Sequence, residues 1–174
     1  VPDVVSDSCK LAIWVSDFAG NISADTLSES FAIQDGTLPL ISIQTPNLST
    51  SIREHDSLHV SWIASDNIGV EQFGVWFSNH PEEPLAFLVE IASQDTIFSF
   101  VIGEGVSDSA QIKMDVMDQA GNMGEDFSDY FSITDNTRPE ISHFSIPDTL
   151  DWGIGSVIDI SVIAIDNVEI TGLD

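Results

Sequence analysis

Ala110-Gln111-Ile112-Lys113-Met114-Asp115-Val116-Met117, followed by Asp118-Gln119-Ala120-Gly121-Asn122, decides the fold. Ala110, Ile112, Met114 and Val116 alternate with Gln111, Lys113 and Asp115. Side chains along an extended strand point to opposite faces in turn, so this period of two puts an apolar row on one face and a polar row on the other. The loop that follows is built of Asx and glycine residues, which tolerate the left-handed backbone of tight turns. The same writing recurs along the chain. Leu58, Val60, Trp62 and Ala64 alternate with Ser57, His59 and Ser61, while Phe73, Val75 and Phe77, then Phe98, Phe100 and Ile102, form further rows. No window sustains a 3.6-residue pattern. Turn formers intervene at short intervals, as in Asn67-Ile68-Gly69, Asn79-His80-Pro81 and Gly103-Glu104-Gly105.

The strand and its loop are written twice. Leu11, Ile13 and Val15 lead into Asp17-Phe18-Ala19-Gly20-Asn21, which stands 101 positions before Asp118-Gln119-Ala120-Gly121-Asn122. Phe31, Ile33, Asp35, Thr37 and Pro39 return 100 positions later as Phe131, Ile133, Asp135, Thr137 and Pro139. Asp66-Asn67 returns as Asp166-Asn167, and the row at Leu58 to Ala64 returns as Ile158, Ile160, Val162 and Ala164. A fixed period of about 100 residues marks tandem copies of one small unit. The expected division is 1–35 as the C-terminal third of one repeat, 36–136 as a complete repeat, and 137–174 as the N-terminal third of the next. The arrangement suggests a piece of a longer protein, with completion of the partial repeats by strands of neighbouring chains as the alternative.

Within the complete repeat the expected strands are Leu40–Ile43, Leu58–Ala64, Gln72–Ser78, Ile97–Ile102, Ala110–Met117 and Phe127–Ile133, with another in the region His80–Glu90. About seven short strands in about 100 residues predict an all-β fold, a two-sheet antiparallel sandwich. Ile141–Phe144 and Val157–Ala164 should repeat its first two strands. Trp62 and the Phe rows read as core, and Trp76 is expected to face outward.

Four Lys and Arg stand against 29 Asp and Glu, a formal net charge of −25. Nucleic acid is excluded as a partner, because phosphate contacts need basic groups. Anionic membrane surfaces are disfavoured for the same reason, and no apolar run is long enough to span a bilayer as a helix. With 43% hydrophobic residues, including ten Phe and four Trp, the chain has the means to build a core and is not an acidic disordered tail. Salt or divalent cations make such a charge tolerable, which points to an extracellular, secreted or cell-surface setting. The single cysteine, Cys9, leaves no intrachain disulfide and reads as a small hydrophobe.

Asp-x-Ala-Gly-Asn after one strand, Asp-Asn after another and Asp-x-Thr-x-Pro between copies resemble the tandem bacterial immunoglobulin-like and fibronectin type III-like repeats of extracellular adhesins and surface proteins. The resemblance covers the whole chain. It implies sandwich units in series, an extracellular location and calcium at the junctions. The copies differ in detail, with Gly36 against Asn136 and Phe18 against Gln119.

In a sandwich of this kind the loop after the second strand, the last hairpin loop and the incoming connector lie at one end. That end gathers Asp35, Asp66 and Asp118, with Asn67 and Asn122 beside them. Like charges at short range repel, so three carboxylates there call for a cation. Hard oxygen ligands on flexible loops suit Ca2+, which takes six to eight oxygens. Zinc would want His or Cys, and the four His residues show no ligand spacing. A second, incomplete site would use Asp135, Asp166 and Asn167. Ordinary turn chemistry accounts for each motif taken singly. Asp56, Glu82, Glu83, Glu125, Asp126 and Asp129 read as a solvated face.

Two functions fit these features. One is a structural or adhesive stalk segment of a long multi-repeat surface protein or filament, stiffened by calcium, whose partners are neighbouring repeats and other copies in a filament. The alternative is a non-catalytic accessory module of a secreted multidomain hydrolase. An enzyme is not expected, because acid–base work needs a cleft that these loops are too short to build, and His55, His59, His80 and His143 stand apart from any nucleophile turn.

Overall fold

The computed structural model describes residues 5–146 and 153–172. The first strands are β1 (Ser6–Cys9), β2 (Ala12–Ser16), β3 (Ile22–Thr26) and β4 (Phe31–Ile33). Next come β5 (Leu40–Thr45), β6 (Ser51–Arg53), β7 (Ser57–Ser65), β8 (Val70–Ser78), β9 (Ala86–Ala92), β10 (Ile97–Val101), β11 (Ser107–Asp118), β12 (Met123–Phe127) and β13 (Phe131–Thr134). The last are β14 (Glu140–Ser145) and β15 (Ser161–Ile165). There is no helix among the described residues, so none is long and apolar enough to cross a membrane. The protein is all-β.

β5 to β13 form two layers. One sheet has the order β10-β7-β5, the other β6-β13-β11-β8-β9, with β12 also paired to β11. The inward rows meet between them. Val60, Val75, Ala110, Ile112, Met114 and Val116 are wholly buried, and Leu58, Trp62, Phe73, Phe131 and Ile133 nearly so. Trp62 from one sheet meets Phe73 from the other edge-on, with ring centroids 5.2 Å apart. At roughly 1.5–3 kcal/mol for each large apolar side chain removed from water, this core is the main source of the sandwich's stability. The outer face of β8 carries Trp76, as its alternation with Val75 requires. Its ring meets Phe87 and the Lys113 ammonium, which is also paired to Asp115 and Glu125 at 2.9 Å.

Three strands differ in detail from the expected set. The span Phe127–Ile133 divides into the end of β12 and β13. Between them Ser128 is buried, donating its amide to Ile112 O (2.9 Å) while its hydroxyl accepts the Ile112 amide (3.0 Å), so a side chain takes a rung of the ladder. β6, a strand of three residues, runs parallel to β13, with Ile52 opposite Ile133. β9 falls at the end of the expected region His80–Glu90, runs on to Ala92, and extends the second sheet beside β8.

The flanking strands follow the same ladders at the sequence offset. β2 and β3 pair Ala12 with Thr26 and Ser16 with Ile22, as β11 and β12 pair Lys113 with Phe127 and Met117 with Met123. Ser6 faces Ile33 as Ser107 faces Ile133. At the other end Ile141 faces Ala164 and Ser145 faces Ser161, as Ile41 faces Ala64 and Thr45 faces Ser61. Ile141–Phe144 is therefore strand as expected, but Val157–Ala164 is strand only from Ser161. The cause is visible in the central unit, where β10 holds Ser57–Ser61 and β5 holds the remainder of β7. Among the described residues no strand stands in the β10 position beside 157–160.

Candidate metal centre

Three separate segments place carboxylates at one end of the sandwich. β7 ends at Ser65 and delivers Asp66; β11 ends at Asp118; the connector ahead of β5 supplies Asp35. Each of the three offers a ligand oxygen, and these oxygens lie within 4.8 Å of one another. Asp118 is fully buried, and Asp35 and Asp66 are half-buried.

The Asp118 loop is a tight Asx turn. Asp118 Oδ1 accepts the amides of Ala120 and Asn122, both at 2.8 Å, and Oδ2 accepts Asn122 Nδ2 at 2.7 Å. Gly121 takes φ 89°, a conformation that costs a non-glycine residue about 1–2 kcal/mol. The Asp17 loop is built in the same way, with Ala19 and Asn21 amides at 2.9 and 2.8 Å, Asn21 Nδ2 at 2.7 Å and Gly20 at φ 88°. Turn chemistry thus accounts for the Asp-x-Ala-Gly-Asn motif as a local structure. Burial pushes the Asp118 carboxyl up, but the Asn122 side chain and amide, the Ala120 amide and the contact with Asp35 together pull it below its ordinary value. It is an ionised, pre-oriented oxygen donor.

The two asparagines join the carboxylates. Asn67 Nδ2 donates to Asp35 Oδ1 at 2.9 Å, and Asn122 Nδ2 to Asp35 Oδ2 at 2.8 Å as well as to Asp118. All five sequence-predicted residues are therefore in one cluster. Asp66 differs from the others. Its Oδ2 accepts the Ile68 and Gly69 amides at 2.8 and 3.1 Å, whereas Oδ1 is buried with no hydrogen-bond partner. A buried carboxyl oxygen without a hydrogen-bond partner is costly, and this one belongs to the trio of converging carboxyl groups. A hard divalent cation with several oxygen ligands suits this donor set.

The second predicted set, Asp135, Asp166 and Asn167, is arranged differently. Asp135 is exposed and caps Thr137 N at 2.9 Å. Asp166 Oδ1 is again buried without a partner. Asn167 Nδ2 turns to Glu54, at 2.9 and 3.0 Å from its two carboxylate oxygens. Glu54 is the polar residue that the sequence reading missed. Of the acids assigned to a solvated face, Glu125 pairs with Lys113, Asp129 accepts the Leu48 amide at 3.4 Å, and Asp126 accepts the Ile43 amide at 2.8 Å, joining β12 to β5 across the two sheets. His59 Nδ1 lies 2.7 Å from Ser99 Oγ, but the pair is a cross-strand contact on an exposed sheet face.

A scan against protein-family models and a search of the curated proteins found no match to this chain. The geometry alone therefore carries the functional reading.

Proposed function

We propose that this chain is a segment of an extracellular stalk, made of immunoglobulin-like units in series and held stiff by calcium where they join. The observation that carries this reading is the orphaned Asp66 Oδ1 beside Asp35 and Asp118. A cation there ties the connector to two loops of the following unit, so binding and interdomain rigidity are one event. The matching ladders at offsets of 100 and 101 residues support the tandem arrangement and the division into 1–35, 36–136 and 137–174. The charge of −25 suits a cation-rich, saline exterior.

Calorimetric titration with calcium and thermal melting with and without chelator test the proposal. Binding to the folded state alone stabilises it by about 2.7 kcal/mol when free calcium is a hundredfold above Kd. For a unit of this size that raises the melting temperature by about 10 °C or more. Asp66→Ala should abolish the response. Melting curves that coincide with and without chelator, together with no calorimetric binding, would eliminate calcium as the stiffening agent.

A further inference from the structure

We propose that Glu54 is a docking residue through which the sandwich grips the segment that follows it, its carboxylate capturing the Asp166–Asn167 loop directly and without a metal ion. Glu54 lies between β6 and β7, at the end of the sandwich opposite Asp66, because β7 begins beside Glu54 and ends beside Asp66. It has no exposed surface. A buried carboxylate needs either a cation or a full set of hydrogen-bond donors. No Lys or Arg pairs with it among the described residues. It is held entirely by donors, and these come from three places.

Gly105 N, in the same sandwich, donates to Oε1 at 2.5 Å and fixes the carboxylate in position. The connector contributes Asn136 N at 3.3 Å and Thr137 Oγ1 at 3.0 Å to Oε2, and Asn136 Nδ2 donates to the Glu54 backbone carbonyl at 3.3 Å. The loop that follows β15 contributes Asn167 Nδ2, which bridges both oxygens. The full set exists only when sandwich, connector and following segment are docked together. Undocking removes every donor to the carboxylate except Gly105 N, so this one group ties sandwich, connector and following segment together.

The partner class is an Asx loop presenting a primary amide, which each copy of the repeat carries. At the other end Asn67 directs the same amide to Asp35 Oδ1 at 2.9 Å. This equivalence rests on the repeat reading above; the Glu54 contacts do not. A loop asparagine is thus held by the connector aspartate at one junction and by Glu54 at the other.

The test uses the full chain in a Cys9→Ser background, with spin labels introduced at exposed Gln94 and Ser161. The parent should give one narrow distance distribution in chelator. Asn167→Ala, a change outside the sandwich, should at least double its width and speed exchange of the Asn136 amide at least tenfold. Glu54→Ala should do the same, and the double variant should add nothing further. Glu54→Gln, which keeps the shape and one acceptor oxygen, should fall between. An unchanged width in Asn167→Ala with the sandwich still folded would overturn the proposal, as would a parent distribution that narrows only when calcium is added. Failure of calcium to bind anywhere leaves these outcomes as they stand, so the two readings fail separately.

Discussion

Ile112 and Leu11 give a paired test of what the sandwich buries. Ile112 is wholly buried at the centre of β11, and Leu11, 101 positions earlier beside β2, is 59% exposed. Truncating Ile112 to alanine removes three carbons, about 2.4 kcal/mol at about 0.8 kcal/mol for each buried CH2. The space left behind adds about 1–2 kcal/mol where the surroundings cannot close in. They are poorly able to do so here, because the Ser128 hydroxyl and amide bond both backbone groups of Ile112 and hold the strand in place. Ile112→Ala should therefore cost about 3–4 kcal/mol, and Leu11→Ala under about 1 kcal/mol. Urea unfolding at 25 °C, followed by fluorescence of the core residue Trp62, measures both on the full chain. A loss below about 1.5 kcal/mol for Ile112→Ala, or equal losses for the two variants, would refute the burial of the Ile112 side chain between the sheets.

Asp126→Ala should strand the Ile43 amide and cost about 1–3 kcal/mol, with faster exchange at Ile43; unaltered exchange there would show that the link between β5 and β12 is dispensable. The acid limb of the stability curve should report Glu54. Burial raises its carboxyl, but the bonds from Gly105, Asn136, Thr137 and Asn167 outweigh burial and bring it down to about 2 from an ordinary 4.5. A depressed carboxyl adds stability above its unfolded value and loses it as pH falls through the folded value, so the contribution disappears between about pH 5 and pH 2. The upper bound is about 3 kcal/mol, and screening near the end of the sandwich brings the expectation to about 1–2 kcal/mol. The stability gap between parent and Glu54→Gln should narrow by that amount across this window, and parallel curves would contradict it.

Much of this structure was legible because period-two rows leave little choice of facing. Val60, Val75, Ile112 and Val116 are buried where the alternation placed them. The cluster of Asp35, Asp66 and Asp118 was legible for a different reason: three recurring motifs fall on segments that sandwich topology brings to one end. Glu54 was not legible. It is one acid among 29 Asp and Glu, in a stretch without a repeated pattern, and what distinguishes it is the set of donors that converge from residues 105, 136, 137 and 167. β6 escaped notice because three residues cannot display a period, and its parallel pairing to β13 depends on the tertiary fold. Asp126 read as a surface charge because its acceptor role depends on an amide 83 positions away.

The placement of β5 and β13 determines how the sandwich bears load. Leu40, at the start of β5, lies opposite Ser65 beside the Asp66 end, and Thr134, at the close of β13, lies opposite Arg53 beside the Glu54 end. Tension along the chain enters one strand at one end and leaves the other strand at the opposite end. Each strand is then drawn lengthwise past its neighbours, β5 along β7 and β13 along β6 and β11. The rungs of each ladder are strained in shear and must fail together, unlike a zipper that parts one rung at a time.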